Sequence, residues 1–453
     1  MKSTERIRNK KKNLTMTEGN IWSQIFAFAV PLLIGNIFQQ LYNTVDSIIV
    51  GQFVGREALA AVGSSVSLIS LILGMLVGIA TGAGILIAQY YGAKKEEKLH
   101  WAVHTAIALS IIGGILMMIF GGLLSGWLLK LMKTPEEVMP SSTAYLRIYF
   151  LGSLFNLVYN MGAGILRAVG DSKSPLYYLV AASVVNTALD ILFVVVFKMD
   201  VEGVGFATII AQGVSAVLVL RKLIQSDEPY RLQIKEIKID KRMAGRIIGL
   251  GIPSGVQGSI ISLSNVVVQA NINSFGDIVM AGCGSYSKID GFVMLPIMSF
   301  SMAAMTFVGQ NIGAGKIDRA KQGTKITCLI GFLYIAIAGT ALYVAGKLLI
   351  GIFSKDSEVV HYGVVMLKLL VPFYAFIAWS HILCGAFRGA GRAFSSMLIM
   401  VANLCGIRMF WVNIMTIFYP FIETVLWGYP ITWITCFLCC GLYAWKGNWL
   451  RKN

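Results

Sequence analysis

The sequence predicts an all-α polytopic membrane protein of twelve transmembrane helices, arranged as two parallel six-helix repeats. Three observations predict it. Of 453 residues, 56% are hydrophobic and only 13% charged, and the mean hydropathy is +0.72, more apolar surface than a soluble fold can bury. The apolar runs are long enough for helices crossing a core of about 30 Å, and too long for strands. The second half of the chain also repeats the first at one constant offset.

Taken in order, the spans fall near residues 22–50, 58–90, 100–127, 142–167, 175–197 and 201–224, then 243–273, 279–309, 321–352, 360–388, 394–418 and 422–445. The first follows a basic stretch, Met1 to Asn13, that superficially resembles a signal peptide. The apolar run continues to about Val54 without a small-residue cleavage site, so it reads as a retained span. The domains expected are an N-terminal tail (1–18), an N-lobe (19–224), a charged linker (225–242), a C-lobe (243–446) and a C-terminal tail (447–453).

The net charge of +16 is a topology signal. With the N-terminus inside, 28 Lys and Arg fall on the inner side and six (Arg56, Lys130, Lys133, Lys198, Lys347, Lys355) on the outer side. Such asymmetry places both termini in the cytoplasm of a multi-pass cell-membrane protein. It leaves no reason to invoke nucleic acid.

A shift of 221 residues superposes Gly55 on Gly276, Gln89 on Gln310, Gly92-Ala93 on Gly313-Ala314, Gly164 on Gly385 and Arg167 on Arg388. Pro31 matches Pro253 at a shift of 222. Six spans per half is an even number, so both halves enter the membrane in the same sense. Parallel repeats about an axis along the membrane normal suit a transporter that rocks two lobes around a central site.

Other chemistries lack their parts. Gly313-Ala314-Gly315-Lys316 is not a phosphate-binding loop, because Gln310 replaces its first glycine and Ile317 stands where Ser or Thr is needed. Ion-gradient coupling is therefore the expected energy source. The sequence predicts no enzyme and no cofactor. His100 and His104 have i, i+4 spacing at a cytoplasmic helix start, are expected to have no carboxylate close by, and read as interface residues. The seven cysteines, from Cys283 onward, read as free thiols within apolar runs, the C-x-x-C-C string at Cys436, Cys439 and Cys440 included.

Acids inside spans are costly and mark function. Only Asp46, Asp190 and Asp290 lie well inside. Asp46 and Asp190 are each about eight residues, or about 12 Å, below the outer surface. Thr208 is at a similar level, and Asn186 is one turn before Asp190 on the same face. Asn36, Gln39, Asn43 and Asp46 make a polar stripe at spacings of 3, 4 and 3, which belongs against a wet cavity. Two carboxylates in such a pocket are suited to bind and release a proton, or to share Na⁺ with Asn186 and Thr208. The alternative is a static knot between spans 1 and 5. Lys288 and Asp290 in span 8 read as a partly neutralising pair near a substrate cavity, and Arg408 in span 11 as a snorkelling base.

These residues sit within a recognisable pattern. Tyr42-Asn43-Thr44-Val45-Asp46, GREALAAVG from Gly55, QYYGAK from Gln89, GILRAVGDSK from Gly164, VGQNIGAGK from Val308 and GAFRGAG from Gly385 together resemble the repeated signatures of the multidrug and toxic compound extrusion (MATE) family over nearly the whole chain. The resemblance implies two lobes in a V shape and export of amphipathic, often cationic compounds against H⁺ or Na⁺ flow, by a monomer in the lipid bilayer. Asp46, Asn186, Asp190 and Thr208 match the N-lobe polar network of the DinF-like branch, with Asn156 and Asn160 in span 4 as further candidates. Spans 7 and 10 carry no acid, unlike the NorM-like branch with its C-lobe cation site. A lipid-linked-saccharide flippase of the same superfamily is the alternative; it would favour a strongly cationic lumen, whereas the in-span bases are few, chiefly Lys288 and Arg408.

Overall fold

The computed structural model describes residues 15–132 and 134–450. Most of the predicted basic tail, Lys133 and residues 451–453 lie outside the described residues, as does the side chain of Arg56.

Every regular element among the described residues is helical. The first half comprises α1 (Ile21–Val54), α2 (Arg56–Gly92), α3 (Glu96–Leu131), α4 (Met139–Leu151), α5 (Ser153–Ala168), α6 (Lys173–Val196) and α7 (Val201–Ile224). The second comprises α8 (Lys241–Asn273), α9 (Asp277–Gly313), α10 (Ile317–Gly351), α11 (Ser357–Gly389), α12 (Ala393–Phe418) and α13 (Ile422–Trp445). Eleven are long and apolar enough to span a membrane, and α4 with α5 makes a twelfth, bent by 47° at the break. Expected span 4 is thus two half-helices hinged at Gly152. Side-chain caps mark several starts: Asn20 accepts from Ser23 N–H at 3.3 Å, and Asp240 Oδ1 from Met243 N–H at 2.8 Å. The outward faces are apolar, with Leu123 73%, Ile337 74% and Val344 80% exposed. Exposure of that kind is stable against lipid and not against water.

The halves interlock more than a simple division at the linker implies. Met16, before α1, and Ile25 and Phe28, in its first turns, belong to the same buried cluster as residues of α9 and α11 of the second half. Reciprocally, Met243 and Ile247 of α8 join the core formed by α2, α3 and α5. Each half lends the opening of its first helix to the other.

The seam between the halves closes on the side of the basic loops. Gly78 and Gly82 of α2 lie against the backbone of Gly251 and Gly255 of α8, where a Cβ would collide. At the helix ends the contacts are crosswise. Gly92 meets the backbone of Gln310, and Gly313 meets that of Gln89. Gln89 Nε2 donates to Gly389 O at 3.0 Å, and Gln310 Nε2 to Ala168 O at 2.8 Å. Gln89, Gly92 and Ala168 are related by the 221-residue offset to Gln310, Gly313 and Gly389, so each crosswise contact has its twin, as a two-fold axis requires.

Candidate functional site

The first half encloses a cavity of about 890 Å³ including its open mouth. Proline explains part of its shape: Pro31 in α1 removes a backbone donor and lines the cavity. The polar stripe of α1 turns Asn36 and Gln39 into it, joined by Asn156 and Asn160 from α5. Asn160 Nδ2 donates to Asn156 Oδ1 at 3.0 Å, so the hinged half-helix presents a paired amide face. Asn36 also donates to Ser299 Oγ of α9 at 3.2 Å, linking the cavity wall to the other half. Asn43 of the same stripe is exposed and does not line this cavity.

Tyr42 and Thr208 line the end of the cavity remote from the basic loops, and behind them lie the two acids. Asp190 is fully buried and Asn186 is 1% exposed. Asn186 donates to Asp190 Oδ2 at 2.8 Å and accepts from Thr208 N–H at 3.2 Å, in the amide orientation that satisfies both. The carboxyl groups of Asp46 and Asp190 are within hydrogen-bonding reach of each other. Their Oδ1 atoms are buried and face no protein donor. A carboxyl–carboxyl hydrogen bond forms only when one partner carries the proton, and a bare pair would need a cation instead.

Backbone geometry supports the same place. α1 passes into a π-helical turn at Val50–Val54, one turn after Asp46, and α6 does so at Ile191–Val196, immediately after Asp190. Such turns widen a helix and recur at functional sites. Nothing in the apolar periodicity marks them.

The second half places its acid differently. Asp290 Oδ1 accepts from Tyr374 Oη at 2.6 Å and from Tyr286 Oη at 3.4 Å, and the two phenols are 2.7 Å apart. Lys288 does not neutralise it: two residues along a helix points the side chain to another face, and its Nζ sits 5.3 Å from the Phe353 ring centroid. Nor does Arg408 snorkel. It is 4% exposed, donates to Thr432 Oγ1 at 3.2 Å and lies 4.5 Å from the Tyr429 ring centroid.

His100 and His104 do have a carboxylate near them, supplied by the linker: Glu236 Oε2 is 2.7 Å from His100 Nε2. Ligand atoms of the three lie within 4.8 Å of one another, a spacing that a metal ion fits. Both His104 nitrogens are already engaged, Nδ1 with His100 O at 2.8 Å and Nε2 accepting Gln233 N–H at 3.0 Å. With Thr105 Oγ1 accepting Asp240 N–H at 3.1 Å, the cluster fastens the linker to α3. The cysteines are free thiols.

Sequence reasoning missed Tyr42, Gln212 and Arg167 of the cavity and the phenols around Asp290. Tyr42 was legible one turn before Asp46; the others meet the site only through packing.

Comparison with known proteins follows the repeat. The MatE family model matches residues 31–192 and again 253–414. The chain is 31% identical over 415 residues to "Probable multidrug resistance protein YpnP" of Bacillus subtilis (strain 168), covering 90% of this chain and 89% of that protein. It is 27% identical to "Probable multidrug resistance protein YoeA" of the same organism, covering 96% of each. Its fold is similar to a solved structure described as "Outward-facing conformation of a multidrug resistance MATE family transporter of the MOP superfamily", with TM-score 0.91, 21% identity and coverage of 98% and 99%.

Proposed function

The chain belongs to the MatE family of multidrug and toxic compound extrusion transporters, and from that premise we propose that it is a secondary antiporter of the cell membrane. It exports amphipathic organic solutes in exchange for H⁺ or Na⁺ by alternating access. The basic loops face the cytoplasm together with both termini, and the chain acts as a monomer rather than as an enzyme. The observation that carries the coupling is the Asp46–Asp190 contact, with one buried oxygen on each side facing no protein donor.

The mechanism follows from that contact. A proton held between the two carboxyls ties α1 to α6, and Asn186 and Thr208 hold Asp190 in register. Loss of the proton leaves two like charges in a low-dielectric pocket, which drives the helices apart or draws in Na⁺. The π turns beside both acids give each helix a place to yield. Because α1 begins in the other lobe's core, a shift of α1 reaches the seam between the halves. The twin Gln89 and Gln310 contacts then open on the cytoplasmic side as the outer side closes.

The test is efflux of ethidium from loaded proteoliposomes under an imposed ΔpH or ΔNa⁺. Wild type responds to one gradient, and Asp46→Asn and Asp190→Asn each lose that response while still folding. Full gradient-driven transport in both variants would overturn the coupling role. A protein indifferent to both gradients would favour the flippase reading, which the bases Lys95, Lys98 and Arg246 around the cytoplasmic cleft also support.

A further inference from the structure

The N-lobe cavity carries a charge opposite to the one expected for a binder of organic cations. Among the described residues of its lining, one side chain is charged, and it is Arg167. Asp46 and Asp190 are not in that lining; they stand behind Tyr42 and Thr208 at the far end. The rest of the polar wall is neutral, and amides such as Asn36, Gln39 and Gln212 both donate and accept. Among the described residues, no carboxylate forms an ion pair with the Arg167 guanidinium. The ion pairs His100 with Glu236 and Lys321 with Asp318 lie elsewhere, near the loops on the basic side.

The repeat shows that this placement is not a requirement of the fold. Arg388 occupies the equivalent position in the second half. Its Nη2 is 3.5 Å from Ser301 Oγ, which itself donates to His381 O at 2.6 Å, and its Nε is buried without a hydrogen-bond partner among the described residues, so this arginine lies in the seam between α11 and α9. The same residue in the same motif faces a cavity in one lobe and a helix seam in the other. A guanidinium held away from bulk water without a counter-charge costs free energy, and its planar fork matches a carboxylate or phosphate with two parallel hydrogen bonds.

We propose that the N-lobe cavity binds solutes bearing an oxyanion, a carboxylate or a phosphate, which seats on Arg167 while the neutral remainder of the solute lies along the amide wall. An organic cation placed in the same cavity would face Arg167 with no carboxylate in the described lining to offset it. The inference rests on the proposed transport function for its biological meaning, but the binding itself is measurable without transport.

Equilibrium binding to the purified full-length chain in detergent tests it, with carboxyfluorescein as anionic probe, octyl phosphate as an unlabelled competitor and ethidium as cationic probe. Wild type binds carboxyfluorescein, octyl phosphate displaces it, and Arg167→Gln weakens it by about ten- to a hundred-fold while leaving ethidium binding unchanged or tighter. Arg167→Lys keeps the charge without the fork and falls between, whereas Arg388→Gln leaves the affinity within about two-fold. Equal carboxyfluorescein affinity in wild type and Arg167→Gln would overturn the inference. So would a wild type that binds ethidium and no anion, a result that stands even if Arg167→Gln fails to fold. Arg167-dependent anion binding without gradient-driven transport of either dye would leave the inference intact and count against the antiporter reading. Gradient-driven ethidium efflux that Arg167→Gln leaves untouched would do the reverse.

Discussion

The crosswise glutamines allow a quantitative test of the seam on the side of the basic loops. Gln89→Ala removes one inter-lobe hydrogen bond, from Gln89 Nε2 to Gly389 O at 3.0 Å. Gln310→Ala removes its twin, to Ala168 O at 2.8 Å. A net loss of about 1 kcal/mol each shifts the open-to-closed ratio about five-fold, and the double variant about thirty-fold, since the two contacts are separate. The variants differ in a second respect. Gln310 Oε1 also accepts Met16 N–H at 3.0 Å, with both residues fully buried, whereas Gln89 has no comparable role among the described residues. Gln310→Ala therefore leaves a buried backbone donor unpaired and lowers the thermal midpoint further than Gln89→Ala, although both move the seam equally. Spin labels at Glu97→Cys and Asp318→Cys, equivalent exposed positions in the two halves, report the separation in a background free of the seven native cysteines. A longer-distance population should grow equally in both single variants and further in the double. Unchanged distances in all three, or a shift in one single variant alone, would refute the two-fold reading of the seam.

Two further predictions concern buried polar groups. Arg408 bonds Thr432 and stacks on Tyr429 with no ion pair among the described residues, so Arg408→Met, which fills the same space without a charge, should hold thermal stability within about 1 kcal/mol of wild type. Arg408→Ala should lose about 2 kcal/mol through the void it leaves, and thermal unfolding in detergent that ranks Met below Ala would contradict this account. His104→Ala removes the acceptor of Gln233 N–H and a side-chain anchor of the linker. Trypsin should then cut the linker at Arg231, Lys235 or Lys238 about ten-fold faster, since such a contact is worth about 1 to 1.5 kcal/mol in local opening; an unchanged cleavage rate would show that His100–Glu236 and Lys238 over Trp101 suffice.

Most of the architecture was legible because membrane insertion imposes simple rules on composition. A run of apolar residues must become a helix, and bases must stay on one side. The twelve expected spans therefore coincide with observed helices to within a few residues, and the 221-residue offset reappears as twin contacts. Asp46, Asn186, Asp190 and Thr208 stood out because buried polar atoms are expensive. The hinge at Gly152 and the π turns were hidden, since both keep the local apolar pattern intact while changing backbone hydrogen bonding.

By itself, then, the sequence determined which segments form long apolar helices, that the two halves repeat and which acids lie inside those helices, since each follows from local transfer energies and a constant register. Tertiary structure alone decided which polar groups meet. It brought Glu236 to His100 across a long stretch of chain, turned Lys288 away from Asp290 and set two phenols on Asp290 instead. It also directed Arg167 toward a cavity and its twin Arg388 toward a seam. Partners of that kind depend on how helices distant in sequence pack their faces, and no local pattern records it.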